Sequence, residues 1–167
     1  MSTFFFPQIG SDIDGEAIDD MSGWSVSLSF DGSIVAIGAH LNDDNSNGSG
    51  HVRIYQNINN TWTQIGSDID GEANGDLSGY SVSLSADGTK VAIGSLWNNG
   101  NGNDSGHVRI YQYVNNTWTQ VGSDIDGEAS ANASGKSVSL SADGSVVAIG
   151  AADNDGNGSN SGHVRIY

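Results

Sequence analysis

The sequence predicts an all-β fold, a β-propeller built from four-stranded antiparallel blades, on three observations. First, one unit recurs three times at a step of 56 residues: Tyr55, Tyr111 and Tyr167 keep that spacing, as do Gln8, Gln64 and Gln120. A fixed period of this size marks a repeat architecture. Second, each unit contains short apolar–polar alternations bounded by Gly, Asp and Asn, and no stretch of helical periodicity. Third, a single sheet of this size cannot bury both faces, so the copies must stack. Four-stranded units repeated about an axis make a propeller. A linear β-solenoid fits less well, because the period is long for one coil.

The elements follow in chain order. Phe4 to Gly10 aligns with Asn60–Gly66 and Asn116–Gly122, and its alternation predicts a short strand in each copy. Phe6 stands where Trp62 and Trp118 stand, one large ring per copy. Pro7 suits an outer strand, because it cannot donate to a ladder. Gly-Ser-Asp-Ile-Asp-Gly-Glu-Ala then recurs unchanged at 10–17, 66–73 and 122–129 and reads as loop. Ser25–Ser29, with residues 81–85 and 137–141, alternates small hydroxyls with Val and Leu, which predicts a first strand in a crowded place. Asp31-Gly32, Asp87-Gly88 and Asp143-Gly144 predict a tight hairpin with positive φ at both central residues. Val35–Gly38 and its copies are the returning strand. A loop of Asn, Asp, Ser and Gly leads to Val52–Tyr55, a third strand, and Asn59-Asn60 predicts a second hairpin into the aromatic fourth strand.

Length and composition bound the function. At 167 residues the chain is one domain, with blades expected at 11–66, 67–122 and 123–167, the last completed by 1–10. Against 20 acidic residues stand 5 Lys and Arg, a formal charge of −15. So negative a surface repels phosphate backbones and anionic head groups, which excludes nucleic acid and disfavours membrane surfaces. There is no Cys, hence no disulfide or thiolate site. The start, Met-Ser-Thr-Phe-Phe-Phe-Pro, reads as neither a signal peptide nor a spanning segment, so no membrane insertion is expected.

Gly-Trp/Tyr-Ser-Val-Ser-Leu-Ser, then Val-Ala-Ile-Gly-Ala/Ser, then Gly-His-Val-Arg-Ile-Tyr resemble FG-GAP repeats, known best from the propeller of integrin α-subunits. The similarity covers all three copies. It implies a propeller, and an extracellular or cell-surface, adhesion-like setting. The pattern departs from the family at Lys136, which replaces the aromatic, at Ser95, which replaces Ala, and in lacking the family's Pro. The family's calcium loop between first and second strands is here a bare Asp-Gly turn.

The blade count predicts a partner. Three copies per chain fall below the usual four to eight or so blades, so two chains are expected to close one six-bladed ring as a homodimer. The alternative is a fragment of a larger repeat protein. In an up-and-down blade the fourth-to-first linker and the second-to-third loop share one end, which gathers every carboxylate except Asp31, Asp87 and Asp143 there.

Within that acidic end, Asp12, Asp14 and Glu16, with Asp68, Asp70 and Glu72 and with Asp124, Asp126 and Glu128, supply oxygens at alternate positions, as Ca²⁺ favours. Asp153, Asp155 and Asn157 form a further calcium-like loop. The competing reading is turn formation and pairing with the repeated Arg53, Arg109 and Arg165. His51, His107 and His163 recur on separate blades, too far apart to share an ion, and read as structural. No catalytic constellation appears, and the Ser residues lack a nucleophile-elbow context, so the expectation is a non-enzymatic scaffold for a protein or glycan ligand. Trp24, Tyr80 and Trp97 carry the lectin-like alternative.

Overall fold

The structure, a computed structural model, describes residues 5–167. Thirteen strands, and no helix among the described residues, form three antiparallel sheets. The first holds β1 (Ser25–Leu28), β2 (Ile34–Ala39), β3 (His51–Ile58) and β4 (Thr61–Gln64) in that order. β5 (Ile69–Asp70) extends the same edge of β3 that β4 pairs with. The second repeats this with β6 (Ser78–Leu84), β7 (Lys90–Ser95), β8 (His107–Val114), β9 (Thr117–Gln120) and β10 (Ile125–Asp126). The third has only β11 (Ser137–Leu140), β12 (Val147–Ala151) and β13 (His163–Ile166). Among the described residues the all-β, antiparallel, four-stranded blade expected from the repeat is thus present twice in full and once as three strands.

The Ile69–Asp70 and Ile125–Asp126 strands differ from the loop expected there. Ile69 pairs with Val52 and Asp70 with His51, so the linker rejoins the sheet before it crosses to the next blade. The Asp-Gly turns differ too. Only the Gly has positive φ (Gly32, +70°), and Ser29 accepts at its carbonyl from the Gly32 N–H. Asp31 instead acts through its side chain, accepting from the Ser29 hydroxyl and from the Ser33 N–H and hydroxyl. At Asn59-Asn60 both residues do have positive φ (51° and 66°), the two-residue turn that matches strand twist.

Blades stack through their first strands, where the expectation of crowding holds. The Ser25 hydroxyl donates to the Gly79 carbonyl at 2.7 Å, and the Leu84 N–H donates to Ser27 Oγ at 2.9 Å. One step on, Ser81 donates to Gly135 and Leu140 to Ser83. The main core lies between the first two blades, with Ala36, Val52, Ile54, Val82, Leu84, Val91 and Ile93 at its centre. A second cluster, built on Ala92, Val108, Val147 and Ile149, joins the second blade to the third.

The expected N-terminal strand falls partly on Phe4, which lies outside the described residues, and residues 5–10 form no strand within the chain. They nevertheless take the place of a preceding blade's outer strand. The Trp62 indole donates to the Ile9 carbonyl at 2.9 Å, as the Trp118 indole donates to Ile65, and Gln8 donates to Asp12 as Gln64 does to Asp68. The segment therefore lies against the first blade and pairs with no third strand among the described residues.

Candidate functional site

The loops that follow each second strand meet the linker of their own repeat at one end of the sheets. Asn42 Nδ2 donates to Asp20 Oδ2 at 3.1 Å, Asn98 to Asp76 at 3.0 Å, and Asn154 to Asn132 Oδ1 at 2.9 Å. The first two loops also reach the linker of the following repeat: the Gly71 N–H donates to the Gly50 carbonyl and Ser78 to Ser49, as Gly127 does to Gly106 and Ser134 to Ser105. The acidic residues of successive linkers are thereby drawn together around the start of a third strand.

Two such groups stand out. Around His51 lie Glu16, Asp44 and Asp68, one ligand-type atom from each falling within 4.8 Å of the others. Around His107 lie Glu72 and Asp124 in the equivalent places. Each group takes its Glu from one linker and its Asp from the next, 52 residues on, while the His opens the third strand between them. His51 Nδ1 is 3.8 Å from both Glu16 Oε2 and Asp68 Oδ2; His107 Nδ1 is 3.6 Å from Asp124 Oδ2. Both imidazoles are 1% exposed, and neither Nδ1 has a hydrogen-bond partner. A third pair, His163 Nδ1 and Glu128 Oε2 at 3.6 Å, repeats the motif without a second carboxylate among the described residues.

Arginines brace these carboxylates. Arg53 Nη1 is 3.1 Å from Glu16 Oε1, and its Nη2 donates to the Asp14 carbonyl. Arg109 grips Asp124 with two nitrogens, at 2.9 and 3.1 Å, and also pairs with Glu72. Burial works against the Arg109 charge, yet the bonds to Asp124 and Glu72 hold its pKa above the usual guanidinium range. The Arg109 bond in turn lowers the Asp124 pKa. Burial, seconded by Arg109, pushes the His107 imidazole below its ordinary value, against the pull of Asp124 and Glu72. Around His51 negative charge is in excess: burial, then the charges of Asp68 and Asp44, push the neighbouring Asp70 carboxyl up.

Of the residues singled out in the sequence, Glu16 and Asp68 converge on one group, and Glu72 and Asp124 on the other. Asp12, Asp14, Asp70 and Asp126 join neither group, and Asp12 accepts from Gln8 instead. Asp153 pairs with Lys136 at 3.2 Å, Asp155 accepts from the Asn160 N–H, and the Asn157 N–H donates to Ser161, so this loop is tied by its own bonds. Asp44 was not legible as a member, because neither other copy has an acid there: Gly100 and Gly156 take its place. The recurrence of His three residues before Ile-Tyr was the available signal for the imidazoles. Trp24, His40 and Tyr80 gather their rings within 4.4–5.6 Å of one another, while Trp97 pairs with no ring among the described residues.

Comparison with known proteins bears on the repeat. Residues 12–55 match the FG-GAP repeat family, so the first unit is a repeat of FG-GAP type, and the likeness read from its motifs holds. The matched unit runs from linker to third strand and leaves β4 outside. No curated protein sequence matches the chain. Among solved structures the chain is similar to Kuenenia stuttgartiensis hydrazine synthase, with 12% identity and a TM-score of 0.48 over 83% of this chain and 32% of that one. The chain thus spans about a third of that chain's length.

Proposed function

We propose that the chain is a non-enzymatic scaffold of FG-GAP-type blades that closes a six-bladed β-propeller by pairing two copies, and that its acidic loop end receives a cationic partner at a cell surface or outside the cell. One observation carries this reading: positions buried where repeats meet are exposed where the stack ends. Val82 and Leu84 are 9% and 7% exposed, whereas their equivalents Val26 and Leu28 in the first blade are 64% and 59% exposed. At the other end Val164 and Ile166 are 66% and 70% exposed, against 0% and 1% for Val52 and Ile54. The first-blade face is the kind that a third-blade face covers, and the unpaired edge of β13 fits the N-terminal segment of a second copy. Serine hydroxyls committed to backbone groups of the next blade support a structural rather than a nucleophilic role.

Light scattering tests the pairing. A mass of about 35 kDa, twice the 17.3 kDa chain, is expected; a single-chain mass at micromolar concentration overturns it. A second reading, a glycan-binding blade face, rests on the Trp24–His40–Tyr80 rings, since sugars stack on such clusters. A glycan array without hits removes it.

A further inference from the structure

We propose that the two His–carboxylate groups are binding sites for a divalent transition-metal ion of zinc or manganese type, each clamping consecutive repeats together, and that the Glu16–Asp44–His51–Asp68 group binds more tightly. The proposal concerns residues within one chain and stands whether or not two copies pair.

The distances carry the inference. At 3.6–3.8 Å from the carboxylate oxygens, the two imidazole nitrogens are too far away for hydrogen bonds. An ion held tetrahedrally at about 2.0–2.1 Å sets its ligands roughly 3.4 Å apart. The separations of 3.6–3.8 Å need only a few tenths of an ångström of closure, and the others, all within 4.8 Å, need up to about 1.4 Å. Side chains on the linkers and, for Asp44, on the loop after β2 can supply both. A buried polar nitrogen left without a partner costs free energy of about 1–3 kcal/mol, and a bound ion relieves that cost.

The donor set selects the ion. One imidazole nitrogen among carboxylate oxygens suits zinc or manganese better than calcium, which prefers six to eight or so oxygens. The arginines play a supporting part. Glu16 gives one oxygen to Arg53 and turns the other towards His51, the arrangement by which outer partners aim a metal-binding carboxylate. The groups differ in charge. Three carboxylates face one guanidinium around His51, but only two face Arg109 around His107, and Arg109 already holds both. The first group therefore offers the ion a larger net negative charge.

Tag-free protein, stripped with a chelator, is titrated with Zn²⁺ and separately with Ca²⁺ by calorimetry. Zinc is expected to bind at micromolar concentration and to raise the melting temperature, with calcium at least about tenfold weaker. Asp44→Asn, on an exposed side chain, is expected to weaken the tighter class about tenfold while leaving the metal-free melting temperature unchanged. His51→Gln is expected to abolish that class and to leave the His107 class in place. No zinc binding below millimolar concentration overturns the proposal. So does zinc binding that neither Asp44→Asn nor His51→Gln alters, and so does calcium binding as tight as zinc. Should His51→Gln fail to fold, the Asp44→Asn comparison alone decides.

Discussion

Gly38 and Gly94 are glycines for lack of room, whereas Gly32 is one for its backbone. A Cβ on Gly94 would lie 2.1 Å from the Gly135 carbonyl oxygen, in the backbone of the next blade, and one on Gly38 would meet Gly79 in the same way. At Gly32 nothing lies within 4 Å, but φ is +70°. Gly94→Ala must push two blades apart and is expected to cost about 3 kcal/mol in urea denaturation. Gly32→Ala strains one turn and is expected to cost about 1 kcal/mol. Equal losses at the two positions would refute the close approach of the blades. The Asp-Gly turns add a pH dependence. Hydrogen bonds from the Ser33 side chain, the Ser33 backbone and Ser29 hold the Asp31 pKa at about 2, and bonds from Ser141 and Ser145 do the same for Asp143. The unfolded chain, with ordinary carboxyls near 3.8, binds protons first, so these turns stabilise the fold fully above that pH. Their contribution is lost as pH falls through about 2. Asp31→Asn and Ser33→Ala are each expected to flatten the acid limb of the stability curve between those values, measured by melting temperature.

At the scale of the element, the two hairpins show what a sequence can and cannot state. Asn59-Asn60 and Asp31-Gly32 both read as two-residue turns, but only the first has positive φ at both positions. The Ser on each side of the Asp-Gly pair decides the difference. Its hydroxyls and amide satisfy the Asp31 carboxylate, which favours a longer loop closed by side chains over the tighter turn. Strand order and the crowded first strand were legible because period and side-chain size report them directly. The short Ile69–Asp70 strand was not, because Gly and Asp on both sides mask a two-residue alternation. The acidic groups were half legible: the carboxylates stand out by repetition, but their meeting across 52 residues depends on how linkers fold between blades. The fourth strands give a paired prediction. Trp118 is buried under Ile65 and packs on Tyr113 at 5.0 Å, while Trp62 is half-buried, its indole donating to Ile9 of the N-terminal segment. Trp118→Ala is expected to cost about 4 kcal/mol and Trp62→Ala about half as much, by chemical denaturation.

For the molecule as a whole, the repeats act as each other's controls. The same Val and Leu are buried in the second blade and exposed in the first, so the difference lies in what covers them and not in what they are. This predicts behaviour that depends on protein concentration. If a second copy covers the first-blade face, association stabilises the folded state by mass action, and the melting temperature rises as protein concentration rises. Val26→Asp then sets two effects apart. In a lone chain the side chain faces water, so the charge leaves the fold intact; in a pair it is buried without a partner, which costs several kcal/mol. The variant is expected to run as a folded single chain whose melting temperature no longer changes with concentration. Val82→Asp places the same charge between the first two blades, where no dissociation can free it, and is expected to unfold the chain at any concentration. A Val26→Asp protein that keeps the mass of a pair would place the interface elsewhere and leave the first-blade face uncovered.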